Sequence, residues 1–225
     1  LFNALMRNSQ AEAANYPFCT IEPNTGRVAV PDSRLDKLAK IAKSAKLIYT
    51  QLEFVDIAGL VKDASKGEGL GNQFLAHIRE VDAIAHVLRC FEDENITHVE
   101  GTIDPLRDLE IIETELLLSD IESLEKQKNN LEKKVRGNEK EAKLKLALIE
   151  KILPEMSDGK PARELLKLNE DENSLLPEFN LITTKPILYV CNLAENEIKS
   201  DNKFTELIRK RAIDNHSGFT VVSAQ

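Results

Sequence analysis

Two hydrophobic patterns alternate along the chain. Short, mostly apolar runs bounded by polar or turn residues read as strands: Arg27–Val30, Leu47–Ile57, Ala83–Phe91, Pro186–Cys191 and Phe219–Val222. Between them, apolar residues recur at helical spacing. Residues 1–8 read as the end of a helix, and Leu35, Leu38 and Ile41 place a second over 32–46. Phe74, Leu75 and Ile78 form the inward stripe of a helix over 71–81, and another covers 204–214. Residues 14–26, with two prolines and a turn signal, read as loop. Strands apolar on both faces, alternating with helices, predict an open, mostly parallel α/β sheet.

The middle of the chain breaks this rhythm. From Pro105 to about Met156 it is rich in Glu, Lys and Leu, with Leu109, Ile112, Leu116, Ile121, Leu124, Leu131 and Val135 at helical spacing. A turn is expected at 136–140, and Leu144, Leu146, Leu148, Ile149 and Leu153 continue on a second helix. This predicts an antiparallel helical hairpin inserted between two core strands and projecting from the sheet, with a further short helix over 162–176. A long exposed hairpin buries little core and is costly to order, which favours an arm that grips a large partner. The expected organisation is 1–104 and 178–225 as the two parts of one nucleotide-binding domain, with 105–177 as the insertion.

The 225 residues suffice for one good core plus an appendage, and 42% hydrophobic with 30% charged residues fits a soluble globular protein. A net charge of −8 excludes a generally basic nucleic-acid binder, although a local basic edge of Lys62, Lys66, Lys126, Lys128, Lys133, Lys134 and Arg136 remains available for RNA phosphates. Cys19, Cys90 and Cys191 have no metal-like spacing and read as reduced, buried thiols of a cytoplasmic protein. No apolar run is long enough to span a membrane, and 1–10 lacks the pattern of a signal peptide. Leu1 falls within an apolar helical pattern and Gln225 directly after a strand, so the chain is expected to be part of a longer one.

The chemistry concentrates in Glu53–Phe74, EFVDIAGLVKDASKGEGLGNQF. An apolar strand ending in Asp56, a turn at Gly59 and a glycine-rich loop are how P-loop nucleotidases set a Mg²⁺-linked carboxylate and a backbone N–H beside a γ-phosphate. Asp56 is the candidate for holding Mg²⁺ through a water, at the carboxyl end of a parallel strand. Gly59 is the candidate γ-phosphate donor, and Thr20 in the upstream loop is a candidate direct Mg²⁺ ligand. Leu60 stands where many GTPases carry a water-orienting glutamine. The substrate phosphate, a bound cation such as K⁺, or His98 from the loop after the third core strand would fill that vacancy. His86, inside a strand, reads as packed in the core; His77 and His216 read as surface positions.

Asn192–Glu195, NLAE, closes an apolar strand where base-recognising nucleotidases carry Asn-Lys-x-Asp. Asn192 would meet the purine edge. Leu193 replaces the lysine whose stem covers the base. Glu195, one methylene longer than Asp, is displaced from the guanine geometry. ATP is therefore expected to bind at least as well as GTP. Ser223 and Ala224 would make a short contact to the base. GEGLGNQF (67–74) superficially resembles a dinucleotide-binding fingerprint, but follows a loop and misplaces the third glycine.

The order of these pieces, with NYPFCTIEPNTG, EFVDIAGLVKDASKGEGLGNQFL and NLAE, resembles the Obg-related YchF family of Obg-like ATPases, over nearly the whole chain. The resemblance implies a P-loop G-type domain with a coiled-coil insertion, Mg²⁺-dependent hydrolysis of ATP more readily than GTP, and association with the ribosome, its RNA and proteins, as a monomeric switch. It also implies a C-terminal ubiquitin-like TGS domain, which these residues do not include. In the family, Leu1–Leu5 directly follows the phosphate-binding loop GxPNVGKST, so these residues alone are expected to bind nucleotide poorly. The competing reading is a non-enzymatic module in which nucleotide only sets a conformation.

Overall fold

A computed structural model describes residues 1–6, 24–57, 70–92, 103–165, 168–198 and 202–224, without the side chains of Leu70 and Asn72. The chain forms two compact units, Leu1–Gly59 and Leu60–Gln225.

In the first unit, helix α1 (Phe2–Met6) precedes strand β1 (Asn24–Ala29), where Met6 packs directly on Gly26 and leaves no room for a Cβ. Helix α2 (Ser33–Ala42) begins where the Asp32 side chain accepts from the Arg34 N–H, and ends at Lys43 in the left-handed conformation (φ 49°). Strand β2 (Gln51–Asp56) pairs antiparallel with β1, Asn24 opposite Asp56 and Ala29 opposite Gln51. This corrects the expectation that Asp56 ends a parallel strand: among the described residues its partner strand runs the other way. The helical spacing of 32–46 stops at Ala42, and the strand begins at Gln51 rather than Leu47.

The second unit opens with helix α3 (Leu70–Glu80), whose Leu75 and Ile78 are buried as the periodicity predicts. Strands β3 (Ile84–Arg89), β4 (Ile187–Asn192) and β5 (Gly218–Val222) form a parallel sheet in the order β3-β4-β5. The register pairs Ile84 with Ile187 and Leu188 with Gly218. Helix α7 (Lys203–Asp214) supplies the β4–β5 crossover, and Asn202 and Thr205 satisfy its first turn reciprocally in a capping box. Leu88, Cys90, Leu109, Tyr189, Cys191, Leu193 and Ile208 make the core on this side of the sheet. Cys90 and Cys191 are neighbours there; the adjacent Cys191 thiol and burial push the Cys90 thiol up, so it stays protonated. Cys19 lies outside the described residues.

The β3–β4 crossover carries the hairpin. Helix α4 (Pro105–Arg136) starts on Asp104, whose carboxylate accepts from the Arg107 N–H, with Pro105 in the first turn where its missing N–H costs nothing. Asn138, at φ 65°, turns the chain into helix α5 (Lys140–Ser157). Helix α6 (Glu170–Leu175), flanked by single 3₁₀ turns at 162–164, 176–179 and 182–184, brings the chain back. The hairpin buries more than its pattern suggested. Phe179 and Leu181 of the returning segment close a core over Leu124, Leu148, Ile149, Ile152 and Met156. Four of these five helix residues are within 1% of complete burial, so the arm near its base is a packed element rather than two solvated helices.

Candidate functional site

Asn192 is the last residue of β4, and its side-chain Oδ1 accepts from the Ala224 N–H at 2.9 Å. This bond spans neighbouring parallel strands at their carboxyl ends, the side on which open α/β sheets bind ligands. It brings the NLAE segment and the Ser223–Ala224 segment together. The Leu193 N–H donates to the Val222 carbonyl at 2.9 Å, tightening the same junction.

The individual positions divide. Glu195 starts a 3₁₀ turn, Glu195–Glu197, and is exposed, so its carboxylate is free to meet a ligand edge. Ala224 is also exposed. Ser223 Oγ is buried and has no hydrogen-bond partner among the described residues, which is a donor and acceptor left open beside the junction. Leu193 is 2% exposed and belongs to the core cluster. Its side chain anchors the turn from below; it does not cover a ligand as the lysine at that position would.

Asp56 lies in the other unit, at the end of β2. Burial raises its carboxyl above the ordinary range, and among the described residues no side chain pairs with it. A carboxylate that no side chain pairs with among the described residues is a donor of the hard, anionic type that Mg²⁺ takes. Thr20, Gly59, Leu60 and His98 lie outside the described residues, as do Lys62 and Lys66.

His86 sits in β3, 6.4 Å between ring centroids from Tyr189. Burial holds its imidazole down to about 4, against the opposing pull of Glu113, so it is neutral; the residue is half-buried in the strand rather than part of the core cluster. His216 is exposed.

Sequence reasoning missed two acids where the hairpin leaves the sheet, one fully buried and one half-buried. Glu113 of α4 accepts from Tyr189 Oη at 2.6 Å, from Arg163 at 3.1 Å and from Arg211 at 3.0 Å. Its charge helps raise the Tyr189 hydroxyl's pKa, after burial itself. Asp120 is completely buried and accepts from the N–H groups of Ile182 (2.9 Å) and Thr183 (2.7 Å) and from Thr183 Oγ1 (2.8 Å). Arg79 of α3 pairs with it at 3.3 Å. A signal existed: Asp120 falls four residues after Leu116 and four before Leu124, on the buried stripe of α4.

At the hairpin's far end, Lys133, Lys134, Arg136 and Lys140 are exposed and carry no salt bridge among the described residues. Lys126 differs from the expected open edge: it pairs with Glu122 at 2.6 Å.

A family model described as "50S ribosome-binding GTPase" matches residues 1–114. The chain is 50% identical over 212 residues to the ribosome-binding ATPase YchF of Haemophilus influenzae, covering 94% of this chain and 58% of that protein. It is 46% identical over 227 residues to the ribosome-binding ATPase YchF of Bacillus subtilis, covering 100% of this chain and 62% of that one. It thus spans about three fifths of the length of these relatives. Among solved structures, the Schizosaccharomyces pombe YchF GTPase is similar at a TM-score of 0.77 and 38% identity, over 99% of this chain and 61% of that one.

Proposed function

The chain belongs to the 50S ribosome-binding GTPase family, in its YchF branch, and on that premise we propose that it is the larger part of a Mg²⁺-dependent nucleotide hydrolase that switches on the ribosome. The observation that carries the reading is the Asn192–Ala224 bond, which joins two base-contact segments at the carboxyl edge of a parallel sheet. Asn192, Glu195, Ser223 and Ala224 then meet the base, with Leu193 holding the turn from the core. Asp56, with Thr20, would hold Mg²⁺, which would supply charge neutralisation for the phosphates. Gly59 donates its N–H to the γ-phosphate. Leu60 orients nothing, and His98, the substrate phosphate or a cation such as K⁺ positions the water. The division into 1–104, 105–177 and 178–225 is the organisation that goes with this reading.

ATP serves as substrate at least as well as GTP. Glu195 is too long for the guanine geometry and Leu193 lacks a cationic stem. The ribosome is the partner: the exposed cations at 133–140 give an otherwise acidic chain one local surface for RNA phosphates. The buried base of the arm supports this, because it makes the arm a defined spacer.

Turnover tests the enzyme reading against the non-enzymatic module. The full-length protein is expected to hydrolyse ATP with Mg²⁺ at a rate well above that of a variant lacking the phosphate-loop lysine. Equal rates would leave the module as the better account.

A further inference from the structure

One guanidinium ties α3 to the base of the arm. Arg79 Nη1 donates to Asp120 Oδ1 (3.3 Å) and to the Asn180 carbonyl (2.9 Å). Its Nη2 donates to Ser119 Oγ (2.8 Å) and to the Ser119 carbonyl (3.3 Å). A second tether runs the opposite way. Lys185, between the last 3₁₀ turn and β4, donates its Nζ to the carbonyls of Arg79 (3.1 Å) and Val81 (2.5 Å), the open end of α3. Asp120 meanwhile holds Ile182 and Thr183, so α3, α4 and the chain returning to β4 meet on one carboxylate.

Packing alone does not require this. A buried ion pair adds little stability over a well-packed apolar pair, and its attested use is to fix one geometry among alternatives. A forked guanidinium on four acceptors fixes both position and direction. The other end of α3 begins at Leu70, eleven residues after Gly59 of the Asp-x-x-Gly turn in sequence. In sequence, α3 thus leads from the segment that follows the candidate phosphate sensor to the base of the arm.

We propose that Arg79, Asp120 and Lys185 form the joint through which the nucleotide state, carried by α3, sets the conformation of the helical arm. This rests on the functional reading above and adds the route of its regulation. Arg79 and Lys185 are positioning residues and touch no nucleotide. Coupling of this kind requires an element whose equilibrium both ends bias, and the joint is where such an element is pinned.

The test is amide hydrogen exchange in the full-length protein, with a non-hydrolysable ATP analogue or with ADP bound. The amides of Ile182 and Thr183 report on the joint because both donate to Asp120. Their exchange rates are expected to differ between the two states by about 5-fold or more. Arg79→Ala is expected to bring that ratio to unity while calorimetric affinities for the two nucleotides stay the same. Lys185→Met should act likewise, and serves where Arg79→Ala does not fold. Thr183→Val removes two bonds inside the base of the arm, to Asp120 and from the Ala162 N–H, and leaves the bonds of Arg79 and Lys185 in place. It should raise exchange in both states and keep the ratio, which separates a positioning role from a merely structural one. Equal exchange in both states of a nucleotide-binding wild type overturns the joint and leaves the functional reading standing. A full ratio surviving in both Arg79→Ala and Lys185→Met overturns it too. Failure of the full-length protein to bind either nucleotide overturns both readings.

Discussion

The base of the helical arm and the carboxyl edge of the sheet are both rich in polar groups, yet they use them in opposite ways. At the base, Asp120 and Glu113 are surrounded by donors: the first takes two backbone N–H groups, a hydroxyl and a guanidinium, the second a phenol and two guanidinium groups. At the edge, Asn192 makes one bond to a backbone N–H, Ser223 Oγ has no partner among the described residues, and Glu195 is exposed. Charges enclosed by their own donors fix architecture. Polar groups left partly unspent beside a strand end are what a ligand can complete. The contrast marks the one region as architecture and the other as the candidate for recognition, although the first carries the stronger electrostatics.

Substitutions should therefore split cleanly. The largest stability loss is expected from Asp120→Ala, about 3–5 kcal/mol, because Arg79 and three donors lose their shared acceptor in a buried place. Chemical denaturation checks this; a loss below about 1 kcal/mol would mean that water reaches the site and the base is not a closed network.

The next effect is pH-driven. His86 is held neutral in the fold at about 4, against an unfolded value of 6.5. Between these values the unfolded chain binds the extra proton, so the His86 contribution is complete above about pH 6.5 and is lost as the pH falls toward 4. The loss is at most about 3–4 kcal/mol. Melting midpoints across this range should fall with pH, and His86→Gln should flatten the slope. An unchanged slope would place the imidazole in contact with water.

At the edge, Asn192→Ala should cost only about 1 kcal/mol of stability, the value of one exposed-side hydrogen bond, while lowering nucleotide affinity of the full-length protein about tenfold or more. A variant with unchanged affinity would move the base site elsewhere. Smallest in stability is Lys133→Glu with Lys134→Glu, expected within about 0.5 kcal/mol of the parent, since both are exposed and have no salt bridge among the described residues. Ribosome affinity of the full-length protein should nonetheless fall, and its salt dependence should become shallower. No change in either would remove the hairpin tip from the partner surface.

Much of this architecture is readable from period and punctuation. The hairpin helices fall at 105–136 and 140–157 because long apolar periodicity, broken by Gly137 and Asn138, leaves few alternatives. The parallel strands are equally plain as short apolar runs, but the expected cover on both faces is not met among the described residues, where Val87 and Leu188 are exposed. Two features were not readable. The antiparallel pairing of β2 with β1 joins segments separated by a helix, and nothing local in Gln51–Asp56 specifies its partner's direction. The acids at the base of the arm look like two more charges on a charged helix; only their phase on the buried stripe distinguishes them, and only the returning segment 179–184 supplies their donors. At the edge, residue types single out Asn192 and Glu195 as candidates, but Leu193 needed the fold to show that it faces the core.

The central claim is that this edge is an adenine-tolerant base site built from Asn192, Glu195, Ser223 and Ala224. Its most direct test is calorimetric titration of the full-length protein with ATP and with GTP in the presence of Mg²⁺. The account predicts ATP binding at least as tightly as GTP; a preference for GTP of about tenfold or more, some 1.4 kcal/mol, would contradict it.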